Sequence, residues 1–194
     1  YTNSITEKTI EIECPANKRI FASVPRGNEA DVDIAVKSSL KAFRSWSKVM
    51  PKERGKILLQ IADAIEIEKE DIAKIIATET GNAIKTQARP EINLVVDIFR
   101  YFGGLSSELK GETIPLGEHV LSYTRREPLG VVGAIIPWNA PVMLGACKIA
   151  PALCAGNTIV MKAAEDAPLA ILKVAEICQK FIPPGVLNLL TGTG

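Results

Sequence analysis

Apolar positions along this chain change rhythm near Gly130. Before it they recur every three or four residues; after it they come in short unbroken runs. Ile10 to Ile12 and Arg19 to Val24 alternate, which predicts two short strands. A Pro15-Ala16-Asn17 turn joins them and Pro25-Arg26-Gly27 ends them. Helical spacing follows from about Glu29 to Ser45, with Val32, Val36, Leu40 and Phe43 on one face. Pro51 opens a second helical pattern through Ile57, Leu58, Ile61 and Ile65. It resumes at Ile72, Ile75 and Ile76 and stops at Gly81-Asn82. The charged stretch Glu66 to Asp71 reads as a solvated face and allows a break near Glu68. Ala83 to Ala88 is ambiguous, and Pro90 begins a further helix with Leu94, Val95, Ile98 and Tyr101 or Phe102 as its stripe. Gly111 to Gly117 reads as a loop and His119 to Arg126 as a strand.

Unbroken apolar runs separated by helices predict a parallel sheet buried on both faces. The strand candidates are Val131 to Ile136, Thr158 to Met161 and Val186 to Leu190. In such sheets ligands bind beyond the carboxyl ends of the strands. Those ends carry Pro137-Trp138-Asn139, then Lys162 to Glu165, then Gly192-Thr193-Gly194. Topology therefore puts three polar clusters on one rim. The Asn139 amide suits either a developing oxyanion or the cap of a helix starting at Pro141. Asp166 is a second candidate cap. Lys162 and Glu165 are matched to the two hydroxyls of a ribose, or to each other as a local ion pair. Gly192 and Gly194 permit close backbone approach to a ligand.

Composition narrows the partners. At 194 residues the chain suits one large domain or two small ones. With 23 basic and 22 acidic residues it offers no electrostatic reason to bind a nucleic acid or an anionic membrane. No apolar run reaches the roughly 18 residues of a membrane span. No secretory leader is evident, and the first residue is Tyr1 rather than Met. Four cysteines without a CxxC pair point to a reduced, cytoplasmic protein. His119 is the only histidine, which disfavours a catalytic triad or a metal site.

GVVGAIIPWNAPVMLGACKIAPALCAGNTIVMKAAEDAPL resembles the amino-terminal half of the NAD(P)-dependent aldehyde dehydrogenase superfamily. The PWN cluster, the ALCAGN turn, the K-x-x-E after a buried strand and PPGVLNLLTGTG come in that family's order, and the likeness extends back to Pro25-Arg26-Gly27. The resemblance implies an α/β fold with a Rossmann-like parallel sheet from about Gly130 and flanking helices. It assigns residues 1–129 to an amino-terminal hairpin, a helical layer and an oligomerisation-arm strand, and 130–194 to the start of the NAD-binding unit, with the catalytic domain absent. It implies a reaction in which a cysteine thiolate attacks an aldehyde, a hydride passes to the nicotinamide, and water hydrolyses the thioester. Asn139 then supplies the side-chain half of an oxyanion hole. Ile136, Pro137 and Trp138 contact the cofactor, partly through backbone, and Lys162 and Glu165 hold the adenosine ribose. Lys148 matches a lysine that tunes the site in betaine-aldehyde-type members; alternatively it is a helix lysine snorkelling to water.

A carboxylate beside the ribose 2′ position favours NAD over NADP. Met143 and Leu144 suggest one apolar wall for an aldehyde. No cysteine matches the family's nucleophile: Cys14 sits in the hairpin, and Cys147, Cys154 and Cys178 read as buried small hydrophobes. The chain alone is therefore expected to be inactive, working within a homo-oligomer or with a separate carboxyl-terminal half. Two alternatives remain, a non-catalytic dinucleotide-binding module and a relative that passes the acyl group to coenzyme A.

Overall fold

A computed structural model of the chain describes residues 4–193. The first two strands, β1 (Thr9–Cys14) and β2 (Arg19–Pro25), pair antiparallel as expected. Helix α1 (Glu29–Trp46) starts in a capping box, in which Asn28 Oδ1 accepts from the Ala30 and Asp31 amides and Asp31 returns the bond. Helix α2 (Pro51–Thr80) runs without the break that the sequence allows near Glu68 and ends at Gly81 with φ 75°. Its charged stretch is tied to neighbours: Glu68 pairs with Lys173 and Lys180, and Glu70 with Arg89. Residues 84–88 form a π-helical turn leading into α3 (Arg89–Leu105).

Two helices present different faces from those the periodicity predicts. In α1 the buried positions are Ala35, Ser39, Ala42 and Trp46, while Val32 and Leu40 are exposed. The first three lie one residue before the expected Val36, Leu40 and Phe43, a rotation of about 100°. The cause is close approach to the sheet. Buried Ser39 donates to the Gly185 carbonyl at 3.1 Å, accepts from Asn188 at 2.8 Å, and its carbonyl takes the Thr158 hydroxyl at 3.2 Å. A large side chain at position 39 would prevent all three. In α3, Ile92, Val95, Val96 and Phe99 are buried, whereas Leu94 and Tyr101 face out.

The segment read as a loop contains β3 (Thr113–Pro115), which pairs antiparallel with β4 (Leu121–Tyr123). That strand is shorter than expected, and a three-residue ladder leaves no periodic trace. The parallel sheet follows: β5 (Val131–Ile135), α4 (Pro141–Cys154), β6 (Thr158–Lys162), α5 (Leu169–Gln179) and β7 (Leu187–Leu190), in strand order β5-β6-β7. Central β6 is buried except at Lys162. Helices α4 and α5 pack together over the strands, α2 and α3 cover them, and α1 crosses the sheet. One hydrophobic core runs from Leu58 and Phe99 through Ile149 to Ile159 and Val174, so the helical layer and the strand unit share it. Among the described residues no helix is long and apolar enough to cross a membrane.

Candidate dinucleotide site at the strand ends

The parallel register brings the three strand-end clusters together. Ile135 pairs with Lys162 and Lys162 with Leu190, so β5, β6 and β7 finish level. Beyond that row Ile136 N–H donates to the Lys162 carbonyl at 3.2 Å, and Ala163 N–H to the Leu190 carbonyl at 2.9 Å. The chain leaving β5 thus begins beside the chain leaving β6.

On the β5 side, Ile136 is buried, while Pro137, Trp138 and Asn139 are exposed. The Ile136 side chain is therefore closed to a ligand, and its backbone N–H is spent on Lys162. Asn139 does not cap α4. The cap residue is Ala140, which has no side-chain bond to offer. Asn82, just past α2, instead donates its amide to the Asn139 carbonyl at 3.1 Å. The Asn139 side chain makes no hydrogen bond to the described residues.

Buried carboxylates do the capping from a distance. Glu91 of α3 accepts from the Val142 and Met143 amides of α4 at 3.0 and 3.1 Å. Glu79 of α2 accepts from the Leu169 and Ala170 amides of α5 at 2.6 and 3.0 Å. Asp166 plays no such part, since the α5 cap position is Pro168. Burial pushes the Glu79 carboxyl up to about 7 despite its two backbone bonds, with Glu91 adding a smaller upward push. Burial also raises Glu91, against its bonds from Met143 and Val142. In most dinucleotide folds a phosphate sits at a helix N-terminus of this kind. Here the first-turn amides of both helices already hold a carboxylate. The sequence reading missed both acids, although the spacing Ile72, Ile76, Glu79 sets a carboxylate on an apolar stripe.

On the β6 side, Lys162 Nζ lies 2.8 Å from Glu165 Oε2, with side chains 25% and 40% exposed. The bond from Lys162 holds the Glu165 carboxyl below the usual range, assisted by the residue's own amide. The ion pair is thus present, and both partners remain open to solvent. At the end of β7, Gly192 meets protein: a side chain there would sit 3.0 Å from the Gly27 carbonyl. Gly27 N–H donates to the Thr191 carbonyl at 2.8 Å, and the Thr191 hydroxyl donates to the Pro25 carbonyl. The turn after β2 is thereby docked on the rim. Gly194 lies outside the described residues.

Lys148 stands apart from these clusters. It borders a hollow of about 580 Å³ along β5, with Val132 to Ile135, Pro151, Ala152 and Asn157. A larger hollow of about 940 Å³ opens between β2, α1, α5 and β7 and reaches the rim at Leu190 and Thr191. Cys14, Cys154 and Cys178 are buried, but Cys147 is exposed, contrary to expectation. It falls on the side of α4 away from the core residues Ala146, Ile149 and Ala150. No group of three His, Cys, Asp or Glu that could hold a metal occurs among the described residues.

The aldehyde dehydrogenase family model matches residues 1–194. Aldehyde dehydrogenase 1 of Tanacetum cinerariifolium is 41% identical over 197 residues, covering all of this chain and 40% of that protein. A protein described as aldehyde dehydrogenase, cytosolic 1, of Macroscelides proboscideus is 37% identical over 99% of this chain and 39% of its own length. Among solved structures, PnpE in complex with nicotinamide adenine dinucleotide superposes with TM-score 0.97 at 37% identity, covering all of this chain and 40% of that one. This chain therefore spans about two-fifths of the length of the relatives it matches. It belongs to the aldehyde dehydrogenase family, a family of oxidoreductases, and corresponds to the amino-terminal portion of its members.

Proposed function

We propose that this chain is the amino-terminal, cofactor-binding part of an enzyme that oxidises an aldehyde to a carboxylic acid with NAD. The observation that carries the reading is the junction of β5 and β6, where the Ile136–Lys162 bond sets the Pro137–Asn139 turn beside the Lys162–Glu165 pair. Bound NAD supplies the hydride acceptor. The chain's residues bind and orient. Lys162 donates to one ribose hydroxyl and Glu165 accepts from the other, exchanging part of their mutual bond for the ligand. Trp138, 60% exposed, offers an aromatic face next to them. The Asn139 amide donates to the aldehyde oxygen as negative charge develops there. With Val142 and Met143 N–H turned to Glu91, that amide is a side-chain donor still open at this end of α4.

Glu165 accepts from a 2′-hydroxyl and repels a 2′-phosphate, so NAD is preferred to NADP. The β3–β4 hairpin carries exposed Leu121 and Tyr123 and serves as an association arm, in keeping with a family of oligomers. A cytosolic setting rests on the relative from Macroscelides proboscideus. None of the four cysteines stands on the rim, so the chain alone produces no NADH from an aldehyde.

Quenching of Trp138 fluorescence tests the reading, with W138F as the control for buried Trp46. NAD is expected to quench and to bind at least about ten-fold more tightly than NADP, the factor set by one lost charge-assisted bond. Equal affinities overturn the cofactor preference. No binding of either dinucleotide overturns the site.

A further inference from the structure

Among the described residues the buried charged side chains are Arg54, Glu79 and Glu91, and each is directed at an end of α4 or α5. Neither helix has a side-chain cap from its own sequence neighbourhood. The two caps come from 51 and 90 residues away, out of the helical layer. Each acid holds the turn that follows one of the rim clusters. Glu91 fixes the start of α4, two residues past Asn139, with Asn82 clamping the Asn139 carbonyl. Glu79 fixes the start of α5, four residues past Glu165.

We infer that Glu79 and Glu91 are positioning residues for the dinucleotide site: as carboxylates they lock the first turns of α5 and α4, and so set where the Lys162–Glu165 pair and Asn139 stand. The inference rests on the reading of the rim given above. A carboxylate accepts both amides of such a turn. Glu79 takes one amide on each of its oxygens, so a protonated acid or an amide side chain there turns a donor toward one of them and releases it; Glu91 takes both α4 amides on Oε1 alone, so Gln at that position keeps them. Glu79 is poised for this change. Its carboxyl lies at about 7, α5 presents two N–H groups to it, and Glu91 on α3 is the charged group that acts on it. Glu79 therefore ionises across the neutral range, where most carboxylates are already charged.

The test measures NAD affinity of the whole chain by Trp138 quenching from pH 6 to pH 8. In the wild type, NAD binding is expected to tighten about five- to ten-fold as pH rises, as gain of a charge-assisted bond implies. E79Q is expected to bind at the weak, low-pH level throughout. E91Q, by removing the like charge, is expected to move the midpoint to lower pH, an effect that mere loss of packing does not produce. Hydrogen exchange of the amides of residues 163–167, 169 and 170, corrected for intrinsic rates and read without NAD, should quicken below neutral pH in the wild type and at every pH in E79Q. Wild-type binding that is flat across this range, or E79Q with an unchanged profile, overturns the positioning role. If E79Q does not fold, the wild-type profiles still decide. A wild type that binds no NAD at any pH condemns the site reading, and unchanged exchange at 163–167, 169 and 170 then condemns the positioning role separately.

Discussion

Arg54 donates its Nε–H to the carbonyl of Cys154 at 2.9 Å, reaching from the first turn of α2 to the last residue of α4. Its Nη1 also donates to the Val49 carbonyl, and the residue is 5% exposed. With Glu91 at the opposite end, α4 is held by a cation at its negative pole and an anion at its positive pole. Substitution by Met keeps much of the volume and removes every donor. R54M should therefore lose roughly 2–3 kcal/mol of stability, the cost of stranding a buried carbonyl that had a charged partner. Urea unfolding measures it, and a loss below about 0.5 kcal/mol, an ordinary surface value, rules the clamp out.

Stability should carry a signature of Glu79. Its carboxyl moves from an ordinary 4.5 to about 7 on folding. The folded chain thus binds the proton more tightly than the unfolded one. That favours folding below about pH 4.5, and the contribution is lost as pH rises through 7. Exposed acids such as Glu70 and Asp71, held low by Arg89 and Lys74, act in the opposite direction, so a difference against E79Q is needed to isolate the effect. The stability of wild type relative to E79Q should fall by about 3 kcal/mol between pH 4.5 and pH 8. A constant difference across that span contradicts the burial argument.

On the proposed site, Lys162 is expected to contribute to dinucleotide binding more than to the fold. Its ion pair with Glu165 is partly exposed, so its loss should cost under about 1 kcal/mol of stability. K162M should nonetheless weaken NAD binding by about ten-fold or more, as expected where a charged donor to a ligand is removed. Comparable binding by K162M and wild type would mean that the lysine serves only its neighbour.

Close approach at the rim can be probed with two glycines. A side chain at Gly27 would lie 2.7 Å from the Thr191 carbonyl, whereas nothing lies within 4 Å of one at Gly104. G27A should lose about 1–3 kcal/mol by forcing the turn off β7. G104A should be neutral or gain up to about 1 kcal/mol from helix propensity. Thermal unfolding of the two variants, side by side, checks the contrast.

Cysteine accessibility gives a direct check on how α4 sits. Cys147 should react with a maleimide in the folded chain, while buried Cys14, Cys154 and Cys178 stay protected. Burial pushes the Cys178 thiol up to about 12, which removes its thiolate as well as its access. Intact-mass measurement should find one label on the native chain and four after denaturation.

The sequence by itself determined the parallel β5-α4-β6-α5-β7 unit and the rim at its strand ends. Thr158 to Met161 is an unbroken apolar run because both faces of β6 are covered, and strand–helix alternation with one handedness of crossover leaves one edge for Asn139, Lys162 and Glu165. Periodicity also located α1, α2 and α3, since an amphipathic stripe is a local property. Tertiary structure decided which way those stripes turned. The face of α1 is set by how close Ser39 must come to Gly185, and no window of neighbouring residues contains that distance. It also decided what holds the rim. Asn139 and Asp166 look like caps because caps are usually local, yet the orphan amides of α4 and α5 are satisfied by Glu91 and Glu79 from the stacked helical layer. A hydrogen bond across 51 or 90 residues exists only once the layers have packed, which is why the placement of the polar clusters on one rim could be read along the chain and their support could not.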